Sequence, residues 1–367
     1  MDKNTRRIQE EYKKNTRRIQ EEYKKNTRRI QYDLLRTVAC LMVVMLHVSA
    51  FYWTKLSPAC AEWKILNLYD SFVRSSVPLF FMLSGVFFLS KEVEAKKLYT
   101  KNIFHLFCVL LVWSVLYAAD TVGIPAFFRQ DAGAMFTAVV NGKYHLWFLW
   151  SMIGVYLFVP LLSALVRYRD GKYLPYFLIL FFIFGVGKAT LSVYPYPNHS
   201  VFDLLNKMPD FRLYLGYFVL GYYLDQKVKR KLPGSLLLVL FAVTASLSAF
   251  IGQVDAVQKG SPAGLLYGYF CLPVFAESVF LFLFFRDLGP CLEGKEKLQR
   301  QICFLSANTM GIYLLHPFVL ERLDRWQINS LTWSPWISVL LVTLTAFVIC
   351  MGISALIQKI PLLRKIL

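Results

Sequence analysis

Charge is scarce in this chain, and histidine scarcer. Charged residues make up 17% of its 367 positions, and there are five histidines. No glycine-rich nucleotide loop and no dinucleotide fingerprint occurs, so ATPase and redox chemistry lack their usual residues. No Gly-x-Ser-x-Gly elbow occurs either. The seven cysteines (40, 60, 108, 271, 291, 303 and 350) form no Cys-x-x-Cys pair. No metal-ligand spacing exists, so no metal and no disulfide framework is expected. The cysteines lie in or near apolar runs and read as packing residues. A cleavable leader is not expected: the first apolar run is too long and lacks a small-residue cleavage site. It reads as a signal anchor.

Apolar residues are abundant. They make up 56% of the chain, and mean hydropathy is +0.46. Several runs reach the ~20 residues that a helix needs to cross a bilayer. The alternation of a β-barrel is missing. The expected fold is all-α, a polytopic helical membrane protein with about ten spans. Their approximate limits are 33–53, 72–90, 102–122, 145–167, 173–191, 211–226, 233–253, 263–286, 303–321 and 335–358. With the N-terminus in the cytosol, clusters such as Lys96, Lys97 and Lys101, or Lys227, Lys229 and Arg230, fall inside. Outside loops are poorer in Lys/Arg, with Lys143 and Lys259 as typical isolated examples, and Arg322 and Arg325 are the main exception. Both termini are then cytosolic. The longest outside loops are 123–144 and 192–210; the second either caps a cavity or merely connects.

The formal net charge of +18 could point to nucleic acid, but its distribution does not. Residues 1–31 hold eleven Lys/Arg and five Asp/Glu, and most of the rest sits in loops that orient membrane helices. "NTRRIQEEYKK" occurs at 4–14 and again at 15–25. The eleven-residue period and the i,i+4 pairs Arg7–Glu11 and Glu10–Lys14 predict a solvated helix. The chain divides into this duplicated or engineered extension, 1–31, and a transmembrane domain, 32–367.

The first span, "DLLRTVACLMVVMLHVSAFYW", carries Asp33, Arg36 and His47. Eleven residues bring Arg36 and His47 onto one helix face, about 16 Å apart along the axis. Asp33 can pair with Arg36 one turn away. A histidine at that depth faces protein or water, either as a site residue or as a buried hydrogen-bonding group. Arg74, at the start of the second span, has the choice of a site or of snorkelling to the interface. Trp147 and Trp150 read as interface anchors. His145, His316 and the intramembrane carboxylate Glu277 complete the polar set. A basic mouth with a histidine beyond it suits an anionic donor whose reactive end reaches a general base.

These residues, with "VPLFFMLSG", "YHLWFL" and "GIYLLHPF", resemble the membrane-bound acyltransferase family 3 over nearly all of 32–360. The similarity is to the branch holding the enterobacterial common antigen O-acetyltransferase and the membrane halves of membrane-bound serine racemases. The resemblance implies a multi-pass protein of the bacterial cytoplasmic membrane. It implies acetyl-CoA as cytosolic donor and a hydroxyl of a cell-envelope glycan or lipid-linked sugar as acceptor. His47 matches the family's catalytic histidine and Arg36 its accompanying arginine. Where the family often has Arg-x-x-Arg, this chain has Lys101, Asn102 and His105, so Lys101 and His105 become the donor-binding candidates. Arg74, His145, His316 and Glu277 are the candidates for acceptor binding or proton handling. The alternative is a transporter or flippase for a small polar solute, such as serine, or for a lipid-linked sugar, using the same cavity.

Overall fold

A computed structural model describes residues 29–127, 129, 131–194, 199–361 and 363–367. The repeats at 4–25 lie outside the described residues, as do 195–198 of the proline-rich loop. No strand occurs among the described residues; all regular structure is helical. Helices satisfy their own backbone polar groups, which hydrocarbon demands.

The principal helices, in chain order, are α1 (Ile30–Trp53), α2 (Ala61–Val73), α3 (Ser76–Leu89), α4 (Ala95–Val122), α5 (Tyr144–Leu157), α6 (Val159–Gly171), α7 (Leu174–Ser192), α8 (Leu215–Gln226), α9 (Gly234–Lys259), α10 (Leu272–Arg286), α11 (Glu296–Arg325) and α12 (Pro335–Lys359), with short helices such as Ala132–Asn141 and His199–Lys207 between them. Among the described residues, seven helical stretches are long and apolar enough to span, with α2 and α3 acting as one. A bent pair, α5 and α6, makes an eighth.

Four of the expected spans differ from these helices, each for a physical reason. The second begins at Ala61 instead of about 72. Lys64, Asn67 and Asp70 mask the apolar pattern of α2, but Asn67 and Asp70 point inward. Asn67 Nδ2 donates to the carbonyl of Ala249 at 2.9 Å, and Ser71 Oγ donates to that of Ala245 at 2.6 Å. The fourth span bends by 47° between α5 and α6. Pro160 lies at that bend, where its missing N–H and its ring interrupt the helix. The spans expected at 211–226 and 263–286 are helices of 12 and 15 residues. At 1.5 Å per residue, the 12 residues of α8 rise only ~18 Å.

The short α8 is held inside the protein, not against lipid. It packs most extensively on α3, and nearly all its residues from Leu215 to Leu224 are buried. A Cβ at Gly85 would overlap the backbone of Phe218, and one at Gly221 would overlap the backbone of Met82. Small residues let the two backbones approach, which is where van der Waals association between membrane helices comes from.

Helix α1 is the hub, touching α2, α3, α10, α11 and α12. Two apolar clusters form, one around Tyr32, Phe81 and Phe218 and the other around Val44, Leu314 and Val342. Met45, Phe80, Leu106 and Phe148 flank both. Arg36 and His47 of α1 lie along this seam.

Candidate active site

The site begins at the N-terminal end of α1. Arg36 is one-third exposed, with Nη1 3.5 Å from Asp33 Oδ1. Ser306 of α11 donates to the same Asp33 oxygen at 2.6 Å. The Arg36 guanidinium also lies over the Phe87 ring, 5.2 Å from its centroid. The carboxylate near the positive end of α1 is favourably placed. These contacts orient the guanidinium without enclosing it.

From Arg36 a cavity of about 400 Å³ follows the seam to His47. Its entrance carries Arg36, Ser306 and Thr309, and its inner end carries His47, His145 and Tyr313. Between them the walls are apolar, with Phe80, Leu106, Phe148 and Met152 among them. Trp147 lines this cavity and stacks on Tyr269 at 5.7 Å. Its role is therefore more than an interface anchor; Trp150 stays exposed, as an anchor would.

At the inner end three imidazoles gather. The His47 ring stacks on His316 at 5.0 Å and meets Tyr144 at 5.1 Å. His145 lies edge-on to His316 at 5.4 Å. His145 and His316 are both buried, and Tyr313 hydroxyl donates to the His145 carbonyl at 2.6 Å. His316 Nδ1 lies 2.7 Å from the carbonyl oxygen of Tyr313. A carbonyl only accepts, so Nδ1 carries the proton and Nε2 keeps its lone pair. Nε2 has no hydrogen-bond partner among the described residues. Rings stacked in this way do not converge on one point. Among the described residues no group of three or more His, Cys, Asp or Glu has the geometry to hold a metal ion.

The other candidates fall elsewhere. Lys101 and His105 are exposed on α4 and do not line the cavity, although their neighbour Leu106 does. Arg74 does not snorkel. It forms an ion pair with buried Asp70 and lies 4.9 Å over the Tyr267 ring. Glu277 is fully buried on α10, and neither of its oxygens has a hydrogen-bond partner among the described residues. Neither Arg74 nor Glu277 lines the cavity. Sequence reasoning missed Tyr144, Tyr313 and Ser306. Tyr313 was findable, because it precedes His316 by three on a helix and so shares its face.

Comparison with known proteins agrees with this architecture. The profile of the acyltransferase 3 family, described as an acyltransferase domain, matches residues 29–355. A curated relative, an amino-acid racemase from Enterococcus faecalis, is 25% identical over 317 residues. That match covers 78% of this chain and 40% of the relative, so the chain spans well under half of that protein's length. No solved structure matches the chain. With its family profile covering most of the sequence and its many apolar helices, the chain is a multi-pass membrane protein that belongs to the acyltransferase 3 family.

Proposed function

We propose that the chain is an integral membrane O-acyltransferase. It takes acetyl from cytosolic acetyl-CoA and passes it to a hydroxyl of a cell-envelope glycan or lipid-linked sugar, at the bacterial cytoplasmic membrane. One observation carries this reading: a single cavity joins an accessible arginine to a histidine. The eleven-residue separation sets the two about 16 Å apart along α1. An extended pantetheine arm, counted at ordinary bond lengths, reaches roughly 15–20 Å. Phosphates held at Arg36 thus place the thioester near His47, with the apolar wall along the arm.

Arg36 supplies a planar fork for phosphate oxygens. His47 takes the proton of the acceptor hydroxyl as that oxygen attacks the thioester carbonyl carbon. The carbon–sulfur bond breaks, and the departing thiolate recovers the proton from the imidazolium. A general base in this position contributes roughly 10²–10⁴ in rate. An acyl relay through His47 would use the same geometry. His145 and His316 stand where they can accept a proton passed on from His47.

A second reading is transport of a small polar solute such as serine. It is favoured by a further small hollow on the opposite side of His47 and by a relative named as an amino-acid racemase. The two readings separate in one experiment. Purified protein is given acetyl-CoA labelled in the acetyl group, together with envelope glycans. The acyltransferase reading expects CoA release and label transfer that fail in His47→Ala. No CoA binding and no release with any acceptor fraction, alongside serine uptake in proteoliposomes, would overturn it.

A further inference from the structure

His47 is shared by two hollows. The second lies beyond it toward the C-terminal end of α1, lined by Phe51, Asp324, Asn329 and Ser330 among others. It holds about 10 Å³, room for a single water-sized group. Its polar rim is organised in advance. Tyr52 hydroxyl donates to Asp324 Oδ1 at 2.6 Å, and Asn329 Nδ2 donates to the same oxygen at 3.0 Å. Asn329 Oδ1 accepts from the Leu331 N–H, and Thr332 Oγ1 accepts from the Asn329 N–H and donates to the Gln327 carbonyl. These bonds hold the turn after α11 in one shape.

Two groups in this rim are left over. Ser330 is 1% exposed, and its Oγ has no hydrogen-bond partner among the described residues. The side-chain bonds to Asp324 engage Oδ1, and among the described residues none is made to Oδ2. A buried hydroxyl without a partner costs stability, so a ligand group that satisfies it gains affinity. A donor-and-acceptor hydroxyl in one hollow with a carboxylate suits an uncharged alcohol. An anionic group would be repelled by Asp324.

Resting on the acyltransferase reading, we infer that this hollow seats the acceptor's reacting hydroxyl, and that the acceptor is an uncharged sugar. The hydroxyl lies between Ser330 Oγ and the His47 ring, in the same hollow as Asp324. Donor and acceptor then reach His47 from opposite ends of α1. The hydroxyl gives its proton to His47, its oxygen bonds to the acetyl carbon, and the bond to the CoA sulfur breaks.

The test uses washed native membranes, which supply the acceptor, and acetyl-labelled acetyl-CoA. Label in the glycan fraction is compared for the parent, Ser330→Val, Ser330→Ala and Asp324→Asn, while CoA affinity is measured on each purified chain. The filled pocket of Ser330→Val is expected to lower transfer roughly tenfold or more, with CoA affinity within about twofold of the parent. The two milder variants are expected to raise the acceptor's half-saturation without moving that of acetyl-CoA. Transfer in Ser330→Val within about twofold of the parent would overturn the acceptor pocket and leave the donor reading standing. If Ser330→Val loses CoA affinity, it is misfolded and Ser330→Ala decides by the same half-saturation criterion. A parent chain that never binds CoA would overturn the donor reading, and the pocket with it.

Discussion

His316 donates to the carbonyl of Tyr313, an acceptor that Pro317 sets free. In an unbroken helix the N–H of residue 317 would bond the carbonyl of residue 313. Proline has no N–H, so the imidazole takes its place. The His-Pro dipeptide thus fixes both the tautomer and the orientation of the ring stacked on His47. Pro317→Ala restores the backbone bond and evicts the ring from it. The expected result is a protein of equal or greater thermal stability, since proline inside a helix costs up to ~3 kcal/mol. Acetyl transfer should nevertheless fall roughly tenfold through the misplaced ring. A melting curve and a CoA-release assay on one preparation check both.

Arg36 and His47 stand at opposite ends of the cavity, so under the acyltransferase reading their variants should fail differently. His47→Ala is expected to lower kcat by roughly 10²–10⁴, with acetyl-CoA binding kept. Arg36→Lys replaces a fork with a point charge and should raise the KM for acetyl-CoA about tenfold, with a smaller change in kcat. Steady-state CoA release over a range of acetyl-CoA concentrations separates the two.

Lys101 and His105 stand outside the cavity. Lys101→Ala and His105→Ala should each change the KM for acetyl-CoA by less than about threefold, as exposed side chains away from a site usually do. A tenfold rise in either would show that the donor's phosphates reach α4.

Gly85 is a packing position, remote in role from the chemistry. Gly85→Ala places a methyl group against the backbone of Phe218, which cannot swing aside. The cost should be about 1–3 kcal/mol. It reads as a lower melting temperature in detergent and a faster loss of CoA binding on warming.

Asp210 sits in the loop before α8, bonded to Arg212 and 3.6 Å from Lys188. The hydrogen bond from Arg212, outweighing partial desolvation, holds its carboxyl down to about 2. A depressed acid contributes stability above its unfolded value near 4, and that contribution is lost as pH falls through the folded value. The parent's stability advantage over Asp210→Asn should therefore shrink between about pH 4 and pH 2. Differential melting of the two proteins across that range measures it.

The sequence makes the outline of the bundle legible because long apolar runs have few other physical uses. Arg36 and His47 are also legible, since eleven residues return to one face of a helix and the structure places both on one cavity. What composition hides is where polar residues inside the bundle turn. Arg74, Glu277 and His316 are all polar residues in apolar helices, yet of the three His316 alone stacks on His47. The other two pack around α2 and α10 with partners, or a lack of partners, that only tertiary contact decides. The short α8 is invisible for a related reason. Its run reads as a span, but the glycines that draw it against α3 have no hydropathy to speak of.

Two hollows that meet at one imidazole leave little insulation between them. A bilayer's hydrocarbon is ~30 Å thick, and its voltage normally falls across all of it. If water fills both hollows, most of that fall is compressed onto the layer holding His47, His145 and His316. One elementary charge crossing 100 mV exchanges ~2.3 kcal/mol. A proton moving on or off His47 would then sense the membrane potential directly. The packed layer of His47, His145 and His316, and not the cavity walls, would then be what keeps the chain from leaking protons.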